Sequence, residues 1–249
     1  MKLRRLLAPV AYLSLAALFV GGQVLLRARR PVAAPALAES AFAAFGALRS
    51  IVAEVIWFRA DRLQDAGRYV ELAQLASALT AMEPHTPEVW SYAAWNLAYN
   101  VSVMMPTHED RWRWVDAAVR LLRDEGLVYN PGDPELCREL AWLFELKLGA
   151  NIDAAAATYR VKWAEIIADV RARGAWDELK MSPLKMRLIE EKMGLDDWKD
   201  PCLTAIYWAM EGLVRASEKE RPFLLEMIRQ CTVLYQKAHV GPRSPEERP

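Results

Sequence analysis

A block of this sequence recurs at a fixed offset, and the recurrence limits the fold more sharply than composition does. Pro84, Thr86, Pro87, Glu88 and Val89 return as Pro131, Asp133, Pro134, Glu135 and Leu136, and Ala94 and Trp95 return as Ala141 and Trp142. All seven pairs are 47 residues apart. Repeats of this length are supersecondary units that cannot bury their apolar faces alone and must stack on neighbours. The residue types give the unit a helical sense. Pro84 and Pro131 stop the helix before them, and Thr86 and Asp133 can cap the next one. Pro87 and Pro134 suit its first position, and Glu88 and Glu135 complement the positive end of its dipole. Ser182-Pro183 and Asp200-Pro201 repeat the start signal further on. Only 11 glycines in 249 residues, against many alanines, also argue for helices over barrels or sandwiches.

The helices are expected near 48–66 and 68–82, 87–101 and 110–126, 134–149 and 152–172. A short helix follows Pro183, and a last pair near 201–217 and 220–238 would cap the stack. Gly67, Tyr69 and Glu71, followed by Pro84 and then Trp90, resemble a tetratricopeptide repeat (TPR). That family pairs two helices in 34 residues, with glycine and an aromatic at the turn and proline at the end. The resemblance places Gly67 and Tyr69 at the inter-helix turn and Trp90 at the aromatic position of the next helix. It places Ala60, Ala94 and Ala141 where paired helices touch. Leu72, Leu79 and Cys137 depart from the pattern. The second unit is about 13 residues longer than the family's repeat, an excess expected as an insertion over 101–113. The stretch 111–131 is similar to one in a group of bacterial membrane-anchored TPR-like proteins, to which no established activity attaches.

Residues 6–26 contain no charge and are flanked by Lys2, Arg4 and Arg5 on one side and Arg27, Arg29 and Arg30 on the other. Twenty-one helical residues reach about 30 Å, the hydrocarbon thickness of a bilayer. A cleaved signal peptide is the competing reading, with Ala36 to Ala38 before Glu39 as its cleavage site. The length of the run and the intervening arginines favour an uncleaved anchor. The free amino terminus tips the positive-inside balance, placing the body outside the cytoplasm. The expected fold is therefore all-α: a TPR-like solenoid of antiparallel helix pairs preceded by one N-terminal transmembrane helix. The expected organisation is an anchor over 1–30, a linker and lead-in helix over 31–47, repeats over 48–172, a helical extension over 173–240 and a disordered tail over 241–249.

The 32 basic and 32 acidic side chains sum to zero, but the six basic groups of the leader leave the body at about −6. That profile disfavours nucleic acid. In Arg111, Trp112, Arg113 and Trp114, basic and aromatic residues alternate, yet Trp114, Ala117, Ala118 and Leu121 read as a core-facing stripe at helical spacing. A weaker idea puts Trp112 at a membrane interface. Three scattered cysteines and three separated histidines have no zinc-site spacing, so no metal or cofactor is expected.

In a stacked repeat the first helices line the partner-binding groove. The TPR register implies that Asp61, Trp95 and Trp142 share a groove-facing position, with Glu88, Glu135 and Glu145 beside them. This implies an acidic groove with two aromatic anchors, suited to a basic or apolar peptide. The competing reading buries both tryptophans between helices. Some TPR domains hold a peptide's terminal carboxylate. The corresponding positions here are Trp57 and Asp61, Tyr92, and Glu135 and Glu139, whose acids would repel it. No catalytic motif is present, and no catalytic residue is expected. The expected function is a membrane-anchored scaffold for a membrane or envelope protein. The alternative is a membrane-bound helical hydrolase of an envelope polymer, which needs only one or two well-placed carboxylates.

Overall fold

The computed structural model describes residues 55–239. The proposed membrane run, the linker and the tail from Gly241 onward lie outside them. The described residues belong to one compact unit and are all-helical, with no strand among them. None of their helices is long and apolar enough to cross a membrane.

Helix α1 is described over 55–65, and α2 spans Tyr69–Met82. Helix α3 starts at Pro87–Trp95, widens into a π-helical segment at Asn96–Val101, and closes with Ser102–Met104. Helix α4 runs His108–Arg120, Leu121–Gly126 as a second π segment, then Leu127–Tyr129. Helix α5 comprises Pro134–Trp142 and a third π segment, Leu143–Gly149. Helix α6 covers Ala156–Arg173, and a 3-10 turn, Trp176–Leu179, follows it. Helices α7, α8 and α9 are Pro183–Met193, Pro201–Leu213 and Arg221–His239.

The 47-residue periodicity extends to backbone detail. Trp95 and Trp142 each stand immediately before a π segment, so both α3 and α5 loosen at the same point of the repeat. The extra length read as an insertion over 101–113 is not a loop. Helix α3 continues to Met104, and only Met105 to Thr107 separate it from α4.

Proline holds the first helical position in α3, α5, α7 and α8. Where the preceding residue is aspartate, its side chain caps the helix. Asp133 accepts the Leu136 N–H at 3.0 Å, and Asp200 accepts the Cys202 N–H at 2.8 Å. Thr86 makes no such bond. Helices α6 and α7 end at Gly174 and Gly194, both left-handed with φ of 65° and 66°. A side chain would be strained in that conformation.

Helices α3, α5 and α8 pack side by side, with α4 and α6 behind them and α9 against α8. Ala60, Ala94 and Ala141 are fully enclosed, at 0%, 1% and 0% exposure. Their small side chains let neighbouring helices approach. The approach of α8 to α5 is closer still: a Cβ on Gly212 would lie 3.0 Å from the Cβ of Cys137. Every residue from Pro201 to Ala209 is buried, so α8 is the interior member of the last helix pair, with α9 packed against it. One apolar cluster runs from Trp90 through Phe144 and Trp163 to Tyr235, and all three cysteines are buried free thiols.

Polar contacts fix the order of the units. Pro84 ends the α2 unit, and its carbonyl accepts from Trp90 Nε1 at 2.9 Å and Asn130 Nδ2 at 2.8 Å. The second bond links the start of α3 to the end of α4. Trp90 also stacks on Tyr129, with ring centroids 5.8 Å apart. The core face of α4 is one position off the stripe expected. Trp112, Val115, Ala118, Val119 and Leu122 are buried, and Trp114 is not. Trp112 therefore packs inside, beside Tyr159, away from any membrane interface.

Candidate functional site

Trp95 and Trp142 wall a single cavity of about 380 Å³ between α3, α4 and α5. Each is 43% exposed. Neither tryptophan is enclosed in the core as Trp90 is, at 2%. Ser91, Tyr92 and Tyr99 from α3, Leu122 from α4, and Glu139, Leu143 and Leu146 from α5 complete the lining, with Ala94 at its base. The Trp95 and Tyr99 rings stack with centroids 5.9 Å apart. Tyr92 is braced from α1: Trp57 meets its ring at 5.0 Å, and its hydroxyl donates to Gln64 Oε1 at 2.9 Å.

The expected acids are distributed unevenly. Asp61 is exposed on α1, outside the lining, and acts on the site through charge. Burial raises the Tyr92 hydroxyl above its ordinary pKa, and Asp61 raises it further. Glu88 and Glu135 occupy the first turns of α3 and α5, where the helix dipoles favour them. They are outside the cavity wall. Burial lifts the Glu135 carboxyl, and the Glu88 charge adds to the shift.

Glu145 is 4% exposed and faces away from the cavity. Burial raises its carboxyl, and Glu226 of α9 raises it further. The sequence carried a sign of this. At the repeat offset Glu145 corresponds to Ala98, an interior position at 0% exposure. The acid that does line the cavity is Glu139, and Arg138 pairs with it at 3.0 Å. The acidity expected of the groove is thus largely at its ends or neutralised within it.

A second, smaller cavity of about 270 Å³ shares the Tyr99 wall. Val103, Arg111, Lys147, Ile152, Asp153 and Ala154 form the rest. Lys147 projects from the α5 π segment and donates to Asp153 Oδ2 at 2.5 Å, with both side chains buried. Its ammonium lies over the Tyr99 ring, 5.0 Å from the centroid, and 5.9 Å from that of Tyr159. Tyr159 donates to the same carboxylate oxygen at 3.2 Å. On Oδ1, the Ala155 N–H donates at 2.8 Å, and Arg111 Nη1 stands at 3.5 Å.

Burial lowers the Lys147 amine despite the opposing bond to Asp153. For Asp153, burial alone would raise the carboxyl. The bonds from Lys147 and the Ala155 N–H outweigh it and leave the group below its usual value. Sequence reading missed Lys147, Asp153 and the role of Arg111. A lysine set between Leu146 and Leu148 in an otherwise largely apolar stretch was the available signal.

Among the described residues no group of three or more His, Cys, Asp or Glu is placed to hold a metal ion. These features define an all-helical, repeat-like protein with an open aromatic cavity between successive units. No protein-family model, curated protein or solved structure matches this chain.

Proposed function

We propose that the protein is a membrane-anchored, TPR-like scaffold that holds a segment of a partner protein in the groove between Trp95 and Trp142. One observation carries this reading. Two tryptophans at equivalent positions of successive repeats both remain about half exposed and line one cavity. Large aromatics standing open beside a mostly apolar pocket are the usual anchors of protein interfaces. The cavity is on the scale of one or two large apolar side chains. The uncharged run over 6–26 would confine the body to a bilayer surface, raising the effective concentration of membrane-borne partners.

The alternative, a helical hydrolase, draws no support from the cavity. Its lining holds one carboxylate, Glu139, already paired with Arg138, whereas glycan hydrolysis typically needs two placed acids. The test is site-specific photocrosslinking from Ser91 in the anchored, full-length protein in native membranes. A discrete crosslinked protein is expected, lost in Trp95→Ala/Trp142→Ala while the circular dichroism melt stays cooperative. Crosslinks that survive removal of both rings would sink the proposal.

A further inference from the structure

The two cavities meet at Tyr99, whose ring touches Trp95 of the groove and the Lys147 ammonium of the smaller cavity. Their charges differ. In the groove, Glu139 is paired with Arg138. In the smaller cavity two cations, Arg111 and Lys147, face one carboxylate. That carboxylate has donors on both oxygens: Lys147 and Tyr159 on Oδ2, the Ala155 N–H and the looser Arg111 contact on Oδ1.

Lys147 thus neutralises Asp153, and Arg111 is left as surplus charge. The Arg111 side chain is 22% exposed and is fixed by its Nε, which donates to the Met105 carbonyl at 3.1 Å. Acids nearby on α4 have partners of their own: Asp110 pairs with Arg113, and Glu109 approaches Lys162. A guanidinium positioned at a cavity wall with its carboxylate neighbour already satisfied is free to donate to another carboxylate.

Resting on the groove reading above, we infer that the smaller cavity is an oxyanion subsite. It takes an acidic side chain of the same bound segment whose apolar residue sits between Trp95 and Trp142. The partner is then an apolar-and-acidic peptide, despite the net acidity of the body. The site draws Tyr99 and Val103 from α3, Arg111 from α4, Lys147 from the α5 π segment and Ile152 to Ala154 from the turn before α6, and it accepts an internal acidic residue.

The test uses acetylated, amidated hexapeptides with Leu fixed at the second position and one Glu, Gln or Lys scanned through the last four. Capping both ends makes the scanned residue the sole charge. Binding to the full-length protein in detergent is read by calorimetry. The best Glu peptide is expected to bind about five-fold tighter than its Gln counterpart, and the Lys peptide more weakly than both. Arg111→Gln should erase this preference, bringing the Glu and Gln peptides to equal affinity. Arg111→Lys should keep part of it and guards against misfolding of the first variant. Equal affinities, or a preference for Lys, with the Gln peptide still binding would overturn the subsite and leave the groove standing.

If no peptide binds, the groove reading fails. The subsite is then judged by sodium acetate against sodium chloride at matched ionic strength. An acetate-induced rise in melting temperature that is lost in Arg111→Gln supports it, and no rise overturns it.

Discussion

The ammonium of Lys147 lies 2.5 Å from the carboxylate of Asp153, with the two side chains 2% and 5% exposed. Removing one partner of such a pair leaves the other buried and uncompensated. Asp153→Ala should cost about 3–5 kcal/mol, read from urea unfolding. Lys147→Met/Asp153→Ala should be more stable than Asp153→Ala alone, because the buried ammonium no longer stands without its carboxylate. Additive losses in the double variant would show that the two groups are not energetically coupled.

Glu145 sets a pH dependence of opposite sense to that of a salt-bridged acid. Burial and then Glu226 hold its folded-state carboxyl above the ordinary 4.5. The contribution to stability is therefore full below 4.5 and is lost as pH rises through the folded value. Glu145→Gln should match the parent near pH 4 and exceed it at pH 8. Urea midpoints across that range decide the matter, and a variant weaker than the parent at pH 8 contradicts it.

Trp90 and Trp95 lie five residues apart on one helix, yet their truncations should differ. Trp90→Ala empties the core and should cost about 3–5 kcal/mol, whereas Trp95→Ala or Trp142→Ala should cost about 1–2 kcal/mol. Equal losses would place the groove tryptophans energetically in the core and remove the ground for treating them as binding anchors.

Gly212 inverts the usual helix preference. On propensity alone, alanine inside a helix is better by about 1 kcal/mol. Here the new Cβ would stand 3.0 Å from the Cβ of Cys137, an atom fixed to the α5 backbone. Overpacking of this kind costs about 1–3 kcal/mol, so Gly212→Ala should lower the melting temperature. A higher melting temperature would mean that α8 and α5 separate easily.

Repeat-equivalent caps should also part company. Asp133→Ala removes the bond from the Leu136 N–H and should cost about 1 kcal/mol. Thr86→Ala removes no cap bond and should be close to neutral. Chemical denaturation of the two variants side by side makes the comparison.

Helix starts were legible because proline at a first turn is a local signal, and Pro87, Pro134, Pro183 and Pro201 all mark one. The pairing of Trp95 with Trp142 was legible because the repeat itself carries it. Facing directions were harder to read. On α5, Glu139 and Leu146 flank Trp142 on one side of the helix and line the cavity, whereas Glu145 falls on its other side and faces the interior. The repeat register says which helix meets the groove but not where the edge of that face lies. The face of α4 was misread for another reason. Both the 112/115/119/122 set and the 114/117/118/121 set contain apolar residues, and only the packing of α6 and α3 selects between them. Lys147 and Asp153 meet across a turn, and single-helix periodicity has no term for such a contact.

The enclosure of α8 has a consequence for synthesis. Its nine leading residues are buried against α5 and α9, so a nascent chain that has emerged only through α7 presents the matching face of α5 bare to water. The core closes when the last two helices arrive. A ribosome stalled before residue 201 therefore holds an adhesive, protease-sensitive intermediate, although all of the groove's residues have already been made.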